Sequence, residues 1–426
     1  MGFLFDAFYL LLAAIAAPIW MRKKRAGWRE RWGHIEPLPK QKKPRVMIHA
    51  VSVGEVGLIR PLVSALENDF DLVISVTTDT GIERARTLFG ERVHIVRYPL
   101  DASRAVRRFL DAVNPDLVAL VELELWPNFS RACRKRRIPL GVINGRLSDR
   151  SHWKYALAWP ILGGHFRRLA FCCVQDTVYA KRFRRAGARK KAISVCGSMK
   201  WDAAVVADTT PGAEDLRKHL GIDPERLLIV AGSTAPDEHR LLHEATPEGV
   251  QLLCAPRRPE WFDLAADEMP RCVRWSKTDR PILAKDTVGR FLLDTIGVLR
   301  DAYALADIVV VGRSFGSLYG SDPMEPAALA KPVIIGPNVA DFRVIVATMK
   351  ERDAIIQTTR ADLAGVIKRL CDDEAERRAL GKRAQDCVRA SQGATDAHVR
   401  AIRKAVGRPA GKQKKPRAQP GKRRAG

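Results

Sequence analysis

The sequence predicts an α/β protein made of two doubly wound domains, each a parallel sheet between helical layers, facing one another across a cleft. Three observations carry that expectation. From Pro44 onward short apolar runs alternate with helical stretches, and such alternation implies parallel strands with helices on both faces. The pattern changes composition at "DAAVVADTTPGAEDL" (202–216) and then begins again. The 426 residues also exceed what one hydrophobic core usually supports.

The elements follow in order. "RVMIHAVSV" reads as a strand, residues 56–66 as a helix and "DLVISVTT" as a strand. "GIERARTLFG" is helical, "VHIVRYPL" a strand, and "SRAVRRFLDAV" helical before the strand "PDLVALVELEL". "IPLGVING", "AFCCVQD" and "KAISVCGS" continue the first sheet. In the second half "RLLIVAGST" is a strand, a helix begins near Asp237, and "GVQLLCAPRRP" is the next strand. "RFLLDTIGVLRDAYALADIVVVGRSF", "KPVIIGPN" and a helix-rich end around "LAGVIKRLCDDEAERRALGKRAQDCVRA" complete it. No internal repeat at a solenoid period is visible.

The hydrophobic fraction of 46% and charged fraction of 28% are ordinary for a globular protein, but the net charge of +25 is not. Part of it sits in "MRKKRAGWRERWGHIEPLPKQKKPR" and in the acid-free end "GRPAGKQKKPRAQPGKRRAG", runs that suit anionic lipid or nucleic acid. On composition the last twenty or so residues read as a disordered tail. The first run follows "MGFLFDAFYLLLAAIAAPIW", whose length and basic flank predict a membrane anchor with the rest of the chain cytoplasmic. The charge comes after the apolar stretch, unlike a cleaved signal peptide. Asp6 and Pro18 keep a shallow interfacial helix open, and Trp20, Trp28 and Trp32 suit a headgroup belt. Eight scattered cysteines with no C-x-x-C pair predict neither a zinc ribbon nor a disulfide framework, but a reducing compartment. The expected organisation is an anchor or interfacial helix at 1–21, a basic segment at 22–43, domains at 44–204 and 205–400, and a tail at 401–426.

Ligands of open parallel sheets bind beyond the carboxyl ends of the strands, so the residues there are the candidates. Gly54-Glu55 follows the first strand; the carboxylate either complements a helix dipole or serves as a base. Glu122 and Glu124, two apart, are expected on one face of a strand. "GRLSDRS" follows "GVIN", "APDEH" follows "LLIVAGST", and Arg257 and Arg258 follow "QLLCAP". A loop with Gly312, Gly316 and Gly320 precedes a helix start expected at Pro326, as an anion cradle requires. Its spacing is neither G-x-G-x-x-G nor a Walker loop, which disfavours dinucleotides and ATP hydrolysis. Ser198, Ser233, Thr234 and Ser314 offer hydroxyls to a phosphate, and Arg257 a fork for two of its oxygens. His239 and His243 share a helix face without a third ligand, so no metal is expected. G-x-S-x-G is missing at the strand ends, which argues against a serine hydrolase.

Ten segments in series carry a resemblance: "IHAVSVGEVGLIRPL", "TTDTGIERA", "YPLD", "RFLDAVNPDLVALVELELWPN", "INGRLSDRS", "GSMKWD", "GST", "APRRPE", "FLLDTIGVLRDAYALADIVVVG" and "DPMEPAALAKPVIIGP". From about Gly2 to Val388 the chain closely resembles the 3-deoxy-D-manno-octulosonic acid (Kdo) transferases of lipopolysaccharide synthesis. The resemblance implies a GT-B fold with a membrane-associated N-terminus, and inverting transfer of Kdo from CMP-Kdo to a lipid A precursor at the cytoplasmic face of the inner membrane. It implies no metal, no cofactor and no nucleic-acid partner. By resemblance Glu55 is the general base, its pKa expected to be depressed by the helix start, and Glu124 the second acidic position. Ser52, Gly54 and Arg146 fall on the acceptor side. Arg257 and Arg258, the strand-end Ser233, Thr234 and Glu238, and Gly312, Ser314 and Gly320 fall on the donor side. Glu325 would hold the ribose, and Lys200 a phosphate or the Kdo carboxylate.

The sequence also departs from the family. Tyr319–Pro326 reads YGSDPMEP where the family has GGHNPLEP, which places Asp322 near an anionic donor. "GSMKWD" stands for GNxKFD and "STAPDEH" for STHxGEE. These departures motivate a second reading, a GT-B enzyme with another nucleotide sugar or lipid acceptor. A third, non-enzyme reading is a basic membrane-bound scaffold, and deletion of the tail separates it from an enzyme.

Overall fold

The computed structural model describes residues 26–147, 159–278 and 281–407. The apolar stretch, Trp20 and the tail beyond Gly407 lie outside the described residues, and so do the anchor and tail expectations. Among the described residues no helix is long and apolar enough to cross a membrane.

The chain divides into two compact units, Met1–Ala203 with Gly393–Gly426, and Ala204–Gln392. The first contains α1 (Trp28–Arg31), β1 (Arg45–Ala50), α2 (Val53–Leu58), α3 (Arg60–Leu66), β2 (Asp71–Val76), α4 (Asp79–Phe89) and β3 (His94–Arg97). It continues with α5 (Ser103–Val113), β4 (Leu117–Val121), α6 (Pro127–Arg136), β5 (Leu140–Gly145), α7 (Trp159–Phe166), β6 (Cys172–Val174), α8 (Thr177–Arg185) and β7 (Ile193–Val195). The strands are parallel in the order β3-β2-β1-β4-β5-β6-β7. Both faces are covered, which is why the strands read as continuous apolar runs. Val46, Ile48 and Ala50 pack beneath α2, α3 and α4, whereas Met47, Val118 and Val142 pack beneath α5, α6 and α8.

The second unit holds α9 (Ala213–Leu220), β8 (Leu228–Thr234), α10 (His239–Ala245), β9 (Gln251–Pro256), α11 (Phe262–Asp267), β10 (Val273–Arg274) and β11 (Arg290–Leu292). Then come α12 (Leu299–Leu305), β12 (Ile308–Val311), α13 (Met324–Ala328), β13 (Val333–Ile335), α14 (Arg343–Lys350), β14 (Ile356–Gln357), α15 (Leu363–Asp372) and α16 (Glu374–Ser391). Its parallel sheet runs β10-β11-β9-β8-β12-β13-β14. In each sheet the strand order reverses once, between β1 and β4 and between β8 and β12. Those two reversals are the topological switch points, where a ligand crevice opens.

Two local differences from expectation have physical causes. The helix expected at 56–66 starts earlier, at Val53, because Ser52 caps it, and breaks at Ile59 where Pro61 enters the next first turn. The end of the chain does not stay with the second unit. The last helix, α17 (Ala394–Val406), buries Ala394, Val399, Ile402 and Ala405 in the core of the first. An amphipathic period marks an apolar face without naming the sheet that covers it, so 205–400 was too long by this return.

Candidate functional site

In the first unit three glutamates gather at the β1/β4 switch point. Ser52 ends its extended stretch and accepts the Glu55 N–H on Oγ at 3.4 Å. Glu55 reaches back, taking the Val51 N–H on Oε2 at 2.8 Å and the Ser52 hydroxyl on Oε1 at 3.2 Å. These reciprocal bonds, with the Ser52 cap, fix the carboxylate at the mouth of the sheet. Gly54 lies exposed within the same turn.

The electrostatics overturn the expected depression of the Glu55 pKa. Burial pushes its carboxyl up from 4.5 to about 7, and the charges of Glu122 and Glu124 push the same way against the Val51 and Ser52 hydrogen bonds. Desolvation and two like charges outweigh one turn of helix dipole. Glu124 is itself raised, first by burial and then by Glu122, while the indole Nε1 of Trp126 donates to its Oε2 at 2.9 Å. Glu122 and Glu124 do not alternate along a strand, because β4 ends at Val121 and both lie in the loop beyond it. Glu122 sits at φ 57, and its carbonyl accepts the Arg146 N–H at 3.3 Å, which ties β5's exit to the same edge. Glu122 and Trp126 belong to this site although the motif comparison singled out neither. The signal for Glu122 was its two-residue spacing from Glu124. Lys200 lies in the first unit, half-buried beyond β7, its N–H on Ser198 Oγ at 3.4 Å.

In the second unit the β8/β12 switch point gathers the expected residues but gives several of them other roles. Glu238 is fully buried, and its two oxygens accept four backbone N–H groups: Ala235 and Arg313 on Oε2, both at 2.8 Å, and Ser314 and Phe315 on Oε1 at 2.9 and 3.0 Å. The anion cradle expected from the glycine loop therefore exists, and its anion is the chain's own carboxylate. Glu238 consequently cannot touch a donor; burial raises its pKa while the four N–H groups oppose that rise. Ser314 is also buried, its hydroxyl donating to the Val311 carbonyl at 2.6 Å and accepting Gly336 N–H at 2.8 Å, so it too is a loop brace rather than a donor ligand. Thr234 is buried against His239 Nε2 at 3.0 Å, which corrects its placement as a donor contact. His243 Nδ1 takes Arg290 Nε at 3.2 Å, so the two histidines serve separate partners. Among the described residues no group of three or more His, Cys, Asp or Glu could hold a metal.

Of the expected donor-side residues in this unit, Ser233, Arg257, Arg258 and Glu325 have side chains that are not fully buried. Ser233 is held at φ 56 by a register shift between Gly232 and Thr234. Gly312 permits the close passage of this loop, since a Cβ there would meet Thr234 Cα at 2.5 Å. Arg257 donates its N–H to the Thr234 carbonyl at 3.1 Å and exposes its side chain. Arg258 lies over the Trp261 ring at 5.0 Å and pairs with Glu260 at 3.4 Å. Glu325, on α13, is half-buried with its pKa raised by that burial, with Arg300 opposing. Tyr303, absent from the sequence candidates, is buried beneath this edge, its hydroxyl pushed up by burial and then by Glu325 and Asp322. Gly320, at φ 84, donates to the Arg313 carbonyl at 2.8 Å and closes the loop.

Comparison with known proteins now adds to this geometry. A family model described as 3-deoxy-D-manno-octulosonic-acid transferase (kdotransferase) matches residues 26–203. A 3-deoxy-D-manno-octulosonic acid transferase of Haemophilus influenzae is 30% identical over 365 residues, covering 82% of this chain and 84% of that one. The chain belongs to the Kdo transferase family. A Bordetella pertussis Kdo transferase is also 30% identical, over 88% of this chain and 92% of its own length. Among solved structures, a glycosyltransferase of Rickettsia africae matches with a TM-score of 0.57 at 12% identity, covering 87% of this chain and all of that one. With the two parallel sheets this gives the GT-B fold class expected of a Kdo transferase. The departing loop has a local explanation: Asp322 Oδ1 accepts the Met324 N–H at 2.8 Å, so its charge serves the start of α13, two residues before the expected Pro326.

Proposed function

We propose that this Kdo transferase moves Kdo from CMP-Kdo to a lipid A precursor, with inversion and without a metal, at the cytoplasmic face of the inner membrane. The observation that carries the mechanism is the Glu55 carboxylate, anchored by its bonds to Val51 and Ser52 at the β1/β4 switch point with a pKa of about 7. A base of that strength suits a hydroxyl that loses its proton as it attacks. The acceptor oxygen forms a bond to the anomeric carbon, the bond from that carbon to the CMP phosphate breaks, and the proton passes to Glu55. CMP departs with the electron pair.

The first unit supplies the base, with Glu124 placed to orient the acceptor and Ser52, Gly54 and Arg146 around it. The second unit receives CMP-Kdo, with the exposed Arg257 guanidinium on the phosphate and Glu325 on the ribose. Glu238, Ser314 and Gly312 act by fixing the exits of β8 and β12 beside these groups. Support for an anionic membrane surface as partner comes from the basic juxtamembrane sequence and from the acylated, phosphorylated nature of the acceptor class.

The test is transfer from freshly generated CMP-Kdo to a tetraacyl lipid A precursor with EDTA present, wild type beside Glu55→Ala and a chain ending at Gly407. Turnover by wild type and by the shortened chain, with loss in Glu55→Ala, is the expected result. Equal turnover in Glu55→Ala returns that carboxylate to a capping role, and loss of function only on shortening favours the scaffold. No turnover by folded wild type points to another donor or acceptor.

A further inference from the structure

The two helical layers of the first unit carry very different charge. One layer, α5 to α8, packs on Met47, Val118, Leu120, Val142 and Val174. The other, α2 to α4 with α17, packs on Val46, Ile48, Leu72 and Ile74. In the first layer α5 reads SRAVRRFLDAV, α6 PNFSRACRKR and α8 TVYAKRFRR, eleven basic residues against one acid, Asp111. The helices of the opposite layer carry six basic and four acidic residues. Asp111 is already taken by Arg136 at 2.6 Å.

The apolar sides of α5 and α8 are spent on the sheet through Val106, Phe109, Tyr179 and Phe183. Arg104, Arg107 and Arg108 are therefore exposed on α5, and Lys181, Arg184 and Arg185 on α8. Like charges three and four residues apart repel within one helix, so an anionic partner would stabilise this layer. Such a partner is a bilayer or a polynucleotide, and two observations favour the bilayer. Trp28 and Trp32 are 42% and 44% exposed, and indole rings settle at headgroup depth. Arg108 Nη1 donates to the Trp32 carbonyl at 3.4 Å and meets His34 Nε2 at 2.9 Å, while Ile35 and Leu38 pack on the core of this same layer. The segment enters at the β3 edge, where Ala26 and Arg31 reach Asp79 of α4, and from Trp32 to Leu38 it runs onto the basic layer.

We propose that the layer formed by α5, α6 and α8 is the face with which the first unit docks on an anionic bilayer, its arginines and lysines on lipid headgroups and Trp28 and Trp32 at headgroup depth. This deepens the reading of a lipid acceptor at a membrane and rests on it. Each basic side chain near such a surface contributes roughly equally and loses its effect within a Debye length, so binding should fall steeply with salt.

The experiment is flotation of the full chain with phosphatidylcholine vesicles, with and without phosphatidylglycerol. Wild type is compared with Lys181→Gln/Arg184→Gln/Arg185→Gln and with a control from the other layer, Arg84→Gln/Arg86→Gln/Arg400→Gln. The α8 variant should partition on the order of tenfold or more weaker onto anionic vesicles and match wild type on neutral ones, with the control unchanged. Equal weakening by both variants would show diffuse attraction and overturn the proposal. Hydrogen exchange of the full chain reads the docked face directly if the terminal sequences alone hold the protein on vesicles. Vesicles should slow exchange in α5 and α8, and slowing confined to α4 and α17 overturns the proposal. A variant that loses a single-stranded RNA oligomer but keeps anionic vesicles would assign the layer to polynucleotide instead. Turnover on detergent-dispersed acceptor, measured with the same variants, keeps the two readings apart. Retained turnover with lost flotation supports the docking face, and a chain inactive on every donor rejects the reaction while the flotation result stands.

Discussion

Glu238 accepts the backbone N–H of Ser314 at 2.9 Å, and with three further N–H groups it holds the loop after β12 from within. A carboxylate is acceptor-only on both oxygens, which is what four converging donors require. Glu238→Gln replaces one oxygen with an NH₂ that faces donors, leaving buried N–H groups without acceptors. The expected cost is about 2–3 kcal/mol, read from the urea midpoint, with donor affinity falling as the loop loosens. An unchanged midpoint would mean that the loop is held by something else.

As the proposed base, Glu55 with its pKa raised to about 7 should set the acid limb of turnover. The rate should rise with pH through about 7, since only the carboxylate can take the proton. Glu55→Gln should lower kcat by roughly 10²–10⁴. Stability moves the opposite way. Between 4.5 and about 7 the folded chain holds a proton that the unfolded chain has released, so stability falls as pH rises across that window. Glu55→Gln should therefore be more stable than wild type above about pH 7, by up to about 3 kcal/mol, with no such gain below 4.5. A variant less stable at every pH would show that the capping bonds outweigh the buried charge.

Glu122 raises both Glu55 and Glu124 by its charge. Glu122→Gln should shift the acid limb of kcat/KM to lower pH without abolishing turnover, because the residue supplies charge and not a proton acceptor. A limb that stays in place, in a variant of normal stability, would remove Glu122 from the electrostatics of the site.

Which parts of this were legible in the sequence follows from what a one-dimensional pattern can encode. The strand order 3-2-1-4 makes β1 and β4 neighbours, so Glu55 and the Glu122–Glu124 pair meet because both follow strands at one switch point. The sequence placed each of them after a strand, and the resemblance paired Glu55 with Glu124, but the strand order that makes them meet is a property of the fold. The sequence did not predict the sign of the Glu55 shift, because desolvation and like charge come from the residues folded around the helix start. Nor did it show that the glycine loop is filled by Glu238, seventy-six residues from Ser314. A cradle and a carboxylate are each readable, but their pairing is a tertiary fact. The return of α17 to the first unit was hidden for the same reason.

That return gives the last prediction. His398 on α17 is fully buried, its Nε2 accepting the Asn144 N–H at 2.7 Å and its Nδ1 facing the Ala394 carbonyl at 2.6 Å. Only a ring neutral at Nε2 can accept that N–H, so Nδ1 carries the proton. Burial lowers the His398 pKa below 6.5, against the backbone contact to Ala394 and the charge of Asp202. The sign follows: the interaction contributes fully above 6.5 and is lost as pH falls below it, where the unfolded chain binds the proton first. His49, pushed down to about 3, and His239, to about 4, add their own shares, so some loss on acidification remains in any variant. His398→Ala should cost about 2–3 kcal/mol at neutral pH by stranding the buried Asn144 N–H and opening a void against β5. His398→Gln can offer that N–H a carbonyl oxygen, so it should recover part of the loss. Both variants should then lose less stability than wild type between about pH 8 and about pH 5.5, by up to about 1.4 kcal/mol per pH unit while His398 would be titrating. Urea midpoints at the two pH values decide it: parallel losses in all three proteins would mean that His398 does not titrate with folding.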